Sequence, residues 1–366
     1  MNIVQSNEYH PKVVFHPGEA LKEKLEELGF GPKEFALRTG KPEQTISKVL
    51  NGKSSITPEM SVLFEAVTKI PVSFWQKKQA RYDEYVAKLQ RADSIENAIE
   101  WAQSFPYADM AKQEWVPPTK NILEKVENLF SFFGIAVKEA WEDFFLNQKL
   151  AVNFRISLKG TKDPYALSAW IRQGEILAAN QPVPKYERKK LNDCLPKLKE
   201  YMANEEPDFW SKTLYLLNSC GVKVICVSCI PRVSANGVSR WINGSPVIQI
   251  SDRMKRYDII WFSLWHEIGH IMMHGSKFIS VENVEYDERD LKVENEANDF
   301  AIKWTFSEQE EEEFIYRNDN SKAAIIEFAE EIGTHPSLIA GRLVRKNELK
   351  PQAMMGMKIA PKVVIK

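Results

Sequence analysis

The chain has few cysteines, no long apolar run and no excess of charge of either sign. Four cysteines in 366 residues exclude a scaffold held by disulfides and suit a reducing compartment. Cys226-Val227-Ser228-Cys229 has metal-like spacing, but no second pair completes a four-thiolate site. It lies in the apolar, β-branched stretch from Val222 to Ile230, so these residues read as buried strand thiols. No apolar run reaches membrane-spanning length, and the amino terminus lacks the charged-then-apolar pattern of a signal peptide. A cytoplasmic protein is the expectation. Lys and Arg number 49 against 50 Asp and Glu, which excludes a chain that coats nucleic acid through bulk positive charge. Internal repeats and low-complexity tracts are also missing.

The length allows two or three domains, and a hydrophobic content of 44% with ten tryptophans supplies well-packed cores. The most informative stretch is His266-Glu267-Ile268-Gly269-His270. Two imidazoles four residues apart leave the same face of a helix and can reach one metal ion. Glu267 sits on the adjacent edge, where it can take a proton from water activated by that ion. Apolar flanks, Ile259 to Trp265 before and Ile271 to Met273 after, would bury this helix. The alternative is a helix whose histidines are merely packed.

A third ligand is available downstream. Ala297, Phe300, Ala301 and Trp304 form a core stripe at helical spacing, while Glu294 and Asn298 share a second face one turn apart. Glu294 would complete a two-His-one-Glu set and leave a position open for water, as catalytic zinc requires. Glu296 points elsewhere on the wheel and is the less favoured ligand. Asn298 is placed to orient a ligand imidazole. His274 reads as a helix-end or outer-shell residue beside His270. Zinc is the natural ion, although ligand type does not exclude manganese or other divalent metals.

These strings resemble the ImmA/IrrE family of metallopeptidases. The resemblance runs on through Ser234 to Trp241 and Pro246 to Ser251, read as a strand, an Asn-Gly turn and strands beside the catalytic helix. It continues in Ile325 to Ala329 and His335 to Leu343, similar to that family's terminal helices. It covers about residues 150–350 and implies a zinc peptidase that cleaves a DNA-bound repressor or regulator. Val152 to Ser157 and Ala166 to Arg172 look like further strands. Strand edges near Val238 or Val247 are candidates for aligning an extended substrate.

A second constellation lies between residues 15 and 85. His16-Pro17-Gly18-Glu19 opens an amphipathic helix with Leu21, Leu25 and Leu28 inward. Lys33 to Arg38, a Thr39-Gly40 turn and Pro42 to Leu50 then give the helix-turn-helix pattern. Ile46, Val49 and Leu50 would anchor the second helix, leaving Glu43, Gln44, Thr45, Ser47 and Lys48 for a major groove. Gln44 suits a base edge, and Lys48 and Lys53 suit phosphates. Phe74 and Trp75 would close this core. Charge alone also permits a helical bundle that binds no DNA. Residues 1–75 hold nine basic and nine acidic side chains, and only 41–53 is basic, with three Lys against one Glu. The strings Thr39-Gly40-Lys41-Pro42 and Leu50-Asn51-Gly52-Lys53, with Phe74-Trp75, resemble HigA-type antitoxins of the Xre helix-turn-helix class. That resemblance implies operator binding, a homodimer on two half-sites and a possible toxin partner.

The expected fold is α+β and mainly α. It comprises an all-α helix-turn-helix domain (1–80), a helical linker (81–145) broken at Pro117-Pro118, and a zincin-like peptidase core with a small sheet (146–306). Carboxyl-terminal helices and a basic tail follow (307–366). Arg188 to Lys190 and Glu310 to Glu313 read as solvated faces, and the basic tail from Arg342 as either a contact for nucleic acid or a disordered, solubilising end. Two functions follow. One is a DNA-binding regulator carrying a zinc-dependent endopeptidase. The other is a non-catalytic autoregulatory antitoxin or repressor whose metal domain binds a toxin or senses a signal.

Overall fold

A computed structural model describes residues 14–146, 163–206, 208–275, 280–281 and 288–357. The chain divides into two compact units, Met1–Asn97 and Ala98–Lys366. The first consists of α1 (Pro17–Leu28), α2 (Pro32–Thr39), α3 (Glu43–Leu50), α4 (Pro58–Thr68) and α5 (Val72–Glu96). Proline opens α1, α2 and α4 at the first turn, where its missing N–H costs nothing. Left-handed Gly29 and Gly40 end α1 and α2.

Leu21, Phe35, Ile46, Val49, Phe64 and Trp75 are each fully buried and form the centre of this unit. Gly18 is required where α1 crosses α3, because a Cβ there would lie 2.0 Å from the Val49 carbonyl oxygen. Trp75 closes the core as expected, but Phe74 does not: it is 41% exposed and meets Trp75 in a T-shaped contact. Adjacent helical residues point about 100° apart, so only one can face inward. Helix α5 runs unbroken through residue 80.

The second unit begins with α6 (Ile99–Gln103), α7 (Tyr107–Lys112), α8 (Ile122–Phe133) and α9 (Lys138–Trp141), the last leading into a π-helical turn. Then come α10 (Pro164–Ala179), α11 (Arg188–Asn204) and α12 (Phe209–Ser219). Strands β1 (Lys223–Val227), β2 (Gly237–Ile242), β3 (Ser245–Ser251) and β4 (Ser280–Val281) form one sheet in the order β1-β3-β2-β4. Helix α13 (Tyr257–Met273) falls between β3 and β4. Helices α14 (Glu288–Thr305), α15 (Glu308–Arg317), α16 (Lys322–Ile332), α17 (Pro336–Arg345) and α18 (Pro351–Met357) end the described chain. The mainly helical α+β architecture matches the expectation.

β2 and β3 form a hairpin closed by Asn243 and Gly244, with φ of 50° and 81°. Both values suit the mirror-image turn that right-twisted strands prefer. Ile248 and Ile250 join Trp261, Leu264 and Ile268 of α13 in one core cluster. On the other face, the Gln249 amide donates to the Trp170 carbonyl of α10 at 2.8 Å. The sheet is thus a middle layer, and α13 lies on one side of it.

Several expectations change. Ala166 to Arg172 is helical, inside α10, with the Asp163 carboxylate accepting from Ala166 N at 2.8 Å and Pro164 in the first turn. A short, wholly buried apolar run has no periodicity to separate strand from helix, and the Asp-Pro cap decides. Val152 to Ser157 lies outside the described residues. Neither proposed substrate edge is open: β3 is paired on both sides at Val247, and Val238 pairs with Val281 of β4.

Glu311 is not solvated. It is 2% exposed and accepts from Arg342 Nε at 2.6 Å and Lys346 Nζ at 2.9 Å. Burial would raise its pKa, but these two cations outweigh that and hold it below the usual carboxylate value. The same contacts place the start of the basic tail in α17 and against α15. Cys226 lies in β1 with its thiol pushed up to about 12 by burial, but it is half-buried, and Cys229, also half-buried, falls beyond the strand, so the pair is not the two buried strand thiols expected. Cys194 and Cys220, 26 residues apart, bring their sulfurs to 3.1 Å, a pair that sequence spacing did not reveal. No described helix is long and apolar enough to cross a membrane.

Candidate functional site

Helix α13 is buried over nearly its whole length, as its apolar sequence requires. His266 and Glu267 are 3% and 0% exposed, and His270 is 2% exposed. Helix α14 crosses it at Gly269, where a Cβ would meet Phe300 Cβ at 3.2 Å and the Ala297 backbone at 3.3 Å. Trp265 and Trp304 stack across the same crossing with centroids 5.1 Å apart. This close approach brings Glu294 to the histidines.

His266, His270 and Glu294 present ligand atoms that all lie within 4.8 Å of one another. Glu294 reaches His266 Nε2 at 3.2 Å with one oxygen and His270 Nε2 at 3.4 Å with the other. The two Nε2 atoms face each other at 3.0 Å. Both Nδ1 atoms are engaged away from this centre, His266 by Asn298 Oδ1 at 3.0 Å and His270 by His274 Nδ1 at 3.1 Å. Burial, reinforced by the neighbouring imidazoles, lowers the His270 pKa to about 4 despite the pull of Glu294. Burial alone would raise Glu294, but its contacts with His266 and His270 prevail and bring it to about 2. Near neutral pH the centre therefore offers a neutral imidazole at His270 beside an ionised carboxylate, the forms that bind metal.

Glu296 stands apart from this cluster and bonds His274 Nε2 at 3.0 Å. Gly237, the first residue of β2, lies against Glu267: a Cβ there would come within 2.7 Å of Oε1. Sequence reasoning missed Gly237, whose Asn-Gly setting signals a turn rather than a contact with a residue of α13.

In the amino-terminal unit, α3 buries Ile46 and Val49 and exposes Gln44 and Lys48 on its other side. Thr45 and Ser47 are half-buried, less accessible than the helical wheel implied. The Ser47 carbonyl accepts from the Asn51 amide at 2.8 Å. Lys53 is exposed just beyond the helix.

The two units thus define a helix-turn-helix regulator joined to a peptidase-like domain with a candidate metal centre. Residues 21–75 match the family described as helix-turn-helix, and residues 232–343 match the IrrE N-terminal-like domain. The chain is 41% identical over 69 residues to virulence-associated protein A of Dichelobacter nodosus, covering 18% of this chain and 68% of that protein. It is 33% identical over 70 residues to the uncharacterized HTH-type transcriptional regulator YddM of Escherichia coli K12, covering 19% of this chain and 70% of the relative. A solved structure of an addiction module antidote protein of a HigA family from Coxiella burnetii is 28% identical. It spans 23% of this chain and 91% of that one, with a TM-score of 0.22. The chain belongs to the helix-turn-helix family through its amino-terminal unit, and its carboxyl-terminal unit carries a match to the IrrE N-terminal-like domain over residues 232–343.

Proposed function

We propose that this protein is a cytoplasmic, operator-binding regulator whose second unit is a zinc-dependent endopeptidase acting on a repressor or another regulatory protein. The convergence of His266, His270 and Glu294 carries the reading. With both Nδ1 atoms engaged outward, the two Nε2 atoms and a carboxylate share one small space, a donor set that fits a divalent cation. Zinc held there would supply Lewis acidity to water and to a peptide carbonyl. Glu267, buried on the same helix, takes the proton of the attacking water and returns it to the leaving amine nitrogen. Asn298 accepts from His266 Nδ1–H and so leaves its Nε2 turned toward the cluster, where it would serve as a ligand.

Metal removal tests the centre. Stripping the purified chain with a chelator should abolish cleavage and leave operator binding unchanged. Zinc added back at about 100 times its Kd should raise the stability of the carboxyl-terminal unit by about 2.7 kcal/mol, read as an upward shift in thermal unfolding. The absence of any shift or cleavage on reloading would contradict the metal reading. A chain that binds zinc and operator yet cuts nothing would instead be a non-catalytic regulator or antitoxin.

The same proposal makes α3 the recognition helix of a homodimer on two half-sites. Replacing both Gln44 and Lys48 by Ala should weaken binding to a fragment of the protein's own promoter. Loss of a bidentate base contact costs about 1–3 kcal/mol, and loss of one phosphate contact lowers the salt slope by about 1. Fluorescence anisotropy at several salt concentrations measures both. Wild-type affinity in the double variant would rule out α3 as the reading element.

A further inference from the structure

We propose that Cys194 and Cys220 form a modification site, at which a peroxide oxidises the two thiols to one disulfide that staples α11 to the end of α12. The proposal stands whether or not a metal binds at His266, His270 and Glu294. The two sulfurs lie 3.1 Å apart, and an S–S bond needs about 2.05 Å, so they have to close by about 1 Å. The chain supplies one fixed and one yielding partner for that movement. Cys220 is 1% exposed and ends α12, and its carbonyl accepts from Glu187 N at 3.3 Å. The next residue, Gly221, is left-handed with φ of 85°, and a Cβ there would lie 2.5 Å from Tyr186 Cα. Cys194 is half-buried in the first half of α11. Pro196 follows it inside the helix and cannot donate to the Asn192 carbonyl. Helix α11 therefore bends at Cys194 at less cost than a regular helix would.

The chemistry balances in two steps. The Cys194 sulfur, the more accessible of the two, attacks one oxygen of hydrogen peroxide as the O–O bond breaks, giving a sulfenic acid and water. The Cys220 sulfur then attacks the Cys194 sulfur, and the sulfenic hydroxyl leaves with the Cys220 proton as a second water. The sulfurs together lose two electrons, and the peroxide gains them. Burial, and then the Cys220 sulfur beside it, raise the Cys194 thiol above its ordinary pKa. A thiol held protonated reacts slowly, so the pair answers to sustained peroxide, and a reducing thiol reverses the link. The link also bears on the candidate site. Leu195 of α11 and Leu217 of α12 share one core with Trp261 and Leu264 of α13. The Met202 carbonyl at the end of α11 accepts from the Tyr257 hydroxyl at 2.9 Å, and its Sδ accepts from Trp265 Nε1 at 3.2 Å. Trp265 directly precedes His266. A staple between α11 and α12 thus stiffens the layer on which α13 packs.

Mass spectrometry of the full-length protein, treated with hydrogen peroxide, alkylated under denaturing conditions and digested, tests the site. The expected product is a linked pair of peptides carrying unalkylated Cys194 and Cys220, which separates on adding dithiothreitol. Thermal unfolding of the carboxyl-terminal unit should move up by about 5–10 °C in the oxidised chain and return on reduction. Cys194→Ser and Cys220→Ala should each abolish both the link and the shift. Circular dichroism of the reduced Cys194→Ser chain, altered at the half-buried position, checks that its fold is intact. Replacing Cys226 and Cys229 together by Ala should keep the link and the shift, which separates this pair from the closely spaced one. Alkylated Cys220 after peroxide, with Cys194 carried on to the sulfinic acid, would overturn the proposal, as would a link made through Cys226 or Cys229. A Cys194–Cys220 link with no upward shift would overturn the staple.

Discussion

Glu267→Gln is expected to lower cleavage by about 10²–10⁴-fold, the usual contribution of a positioned acid–base group, with zinc content and operator affinity at wild-type values. The amide matches the carboxylate in size but cannot take a proton from the attacking water. It stands outside the proposed ligand set of His266, His270 and Glu294. Glu267 is fully buried, and a neutral amide is cheaper to bury than a carboxylate, so the fold should tolerate the change. The assay pairs wild type and variant, zinc-loaded, against a set of helix-turn-helix repressors, with mass spectrometry of the products. The chain's own 75–120 segment serves as a substrate in cis. Equal cleavage by both proteins would remove Glu267 from the chemistry. Intact regulation by both, with no cleavage by either, would leave the antitoxin-like role as the function.

The His/His/Glu cluster was legible in the sequence because its parts follow helical spacing. His266 and His270 share a face at four residues, and the same wheel separates Glu294 from Glu296. The orientation of α3, the proposed reading helix, was legible for a similar reason, since Ile46 and Val49 fix its inward side. Other features depend on contacts that spacing does not encode. Glu311 is buried only because Arg342, 31 residues on, returns to it. The Cys194–Cys220 approach joins the middle of α11 to the end of α12. Ala166 to Ile171 is apolar without a period, because both sides of α10 are covered there. Thr45 and Ser47 occupy the outward arc of α3, yet both are half-buried. Periodicity reports one buried face of one element, and the first three of these cases are decided by a second element.

Gly237 is the clearest such case, and Gly237→Ala should reduce cleavage by about 10²-fold without loss of zinc. An added Cβ would sit 2.7 Å from Glu267 Oε1 and 3.0 Å from its Cγ, so the carboxylate or the strand must move. The strand is the stiffer partner. Gly237 pairs with Ile250 at the start of β2, and the adjacent Asn236 carbonyl accepts from Ser251 N at 2.8 Å. Glu267 is therefore the group displaced, and its position decides proton transfer. A misplacement of about 1 Å can cost about 10²-fold in rate. The three atoms nearest the new methyl group all belong to Glu267 and none to His266, His270 or Glu294, so zinc affinity should hold. Stability should change little, because alanine stiffens the unfolded chain by about 0.4–1 kcal/mol while the collision acts the other way. The decisive measurement is kcat beside zinc Kd on the same preparation. Wild-type kcat would mean that β2 does not position the base, and parallel losses of rate and metal would mean that the whole crossing of α13 and α14 had shifted.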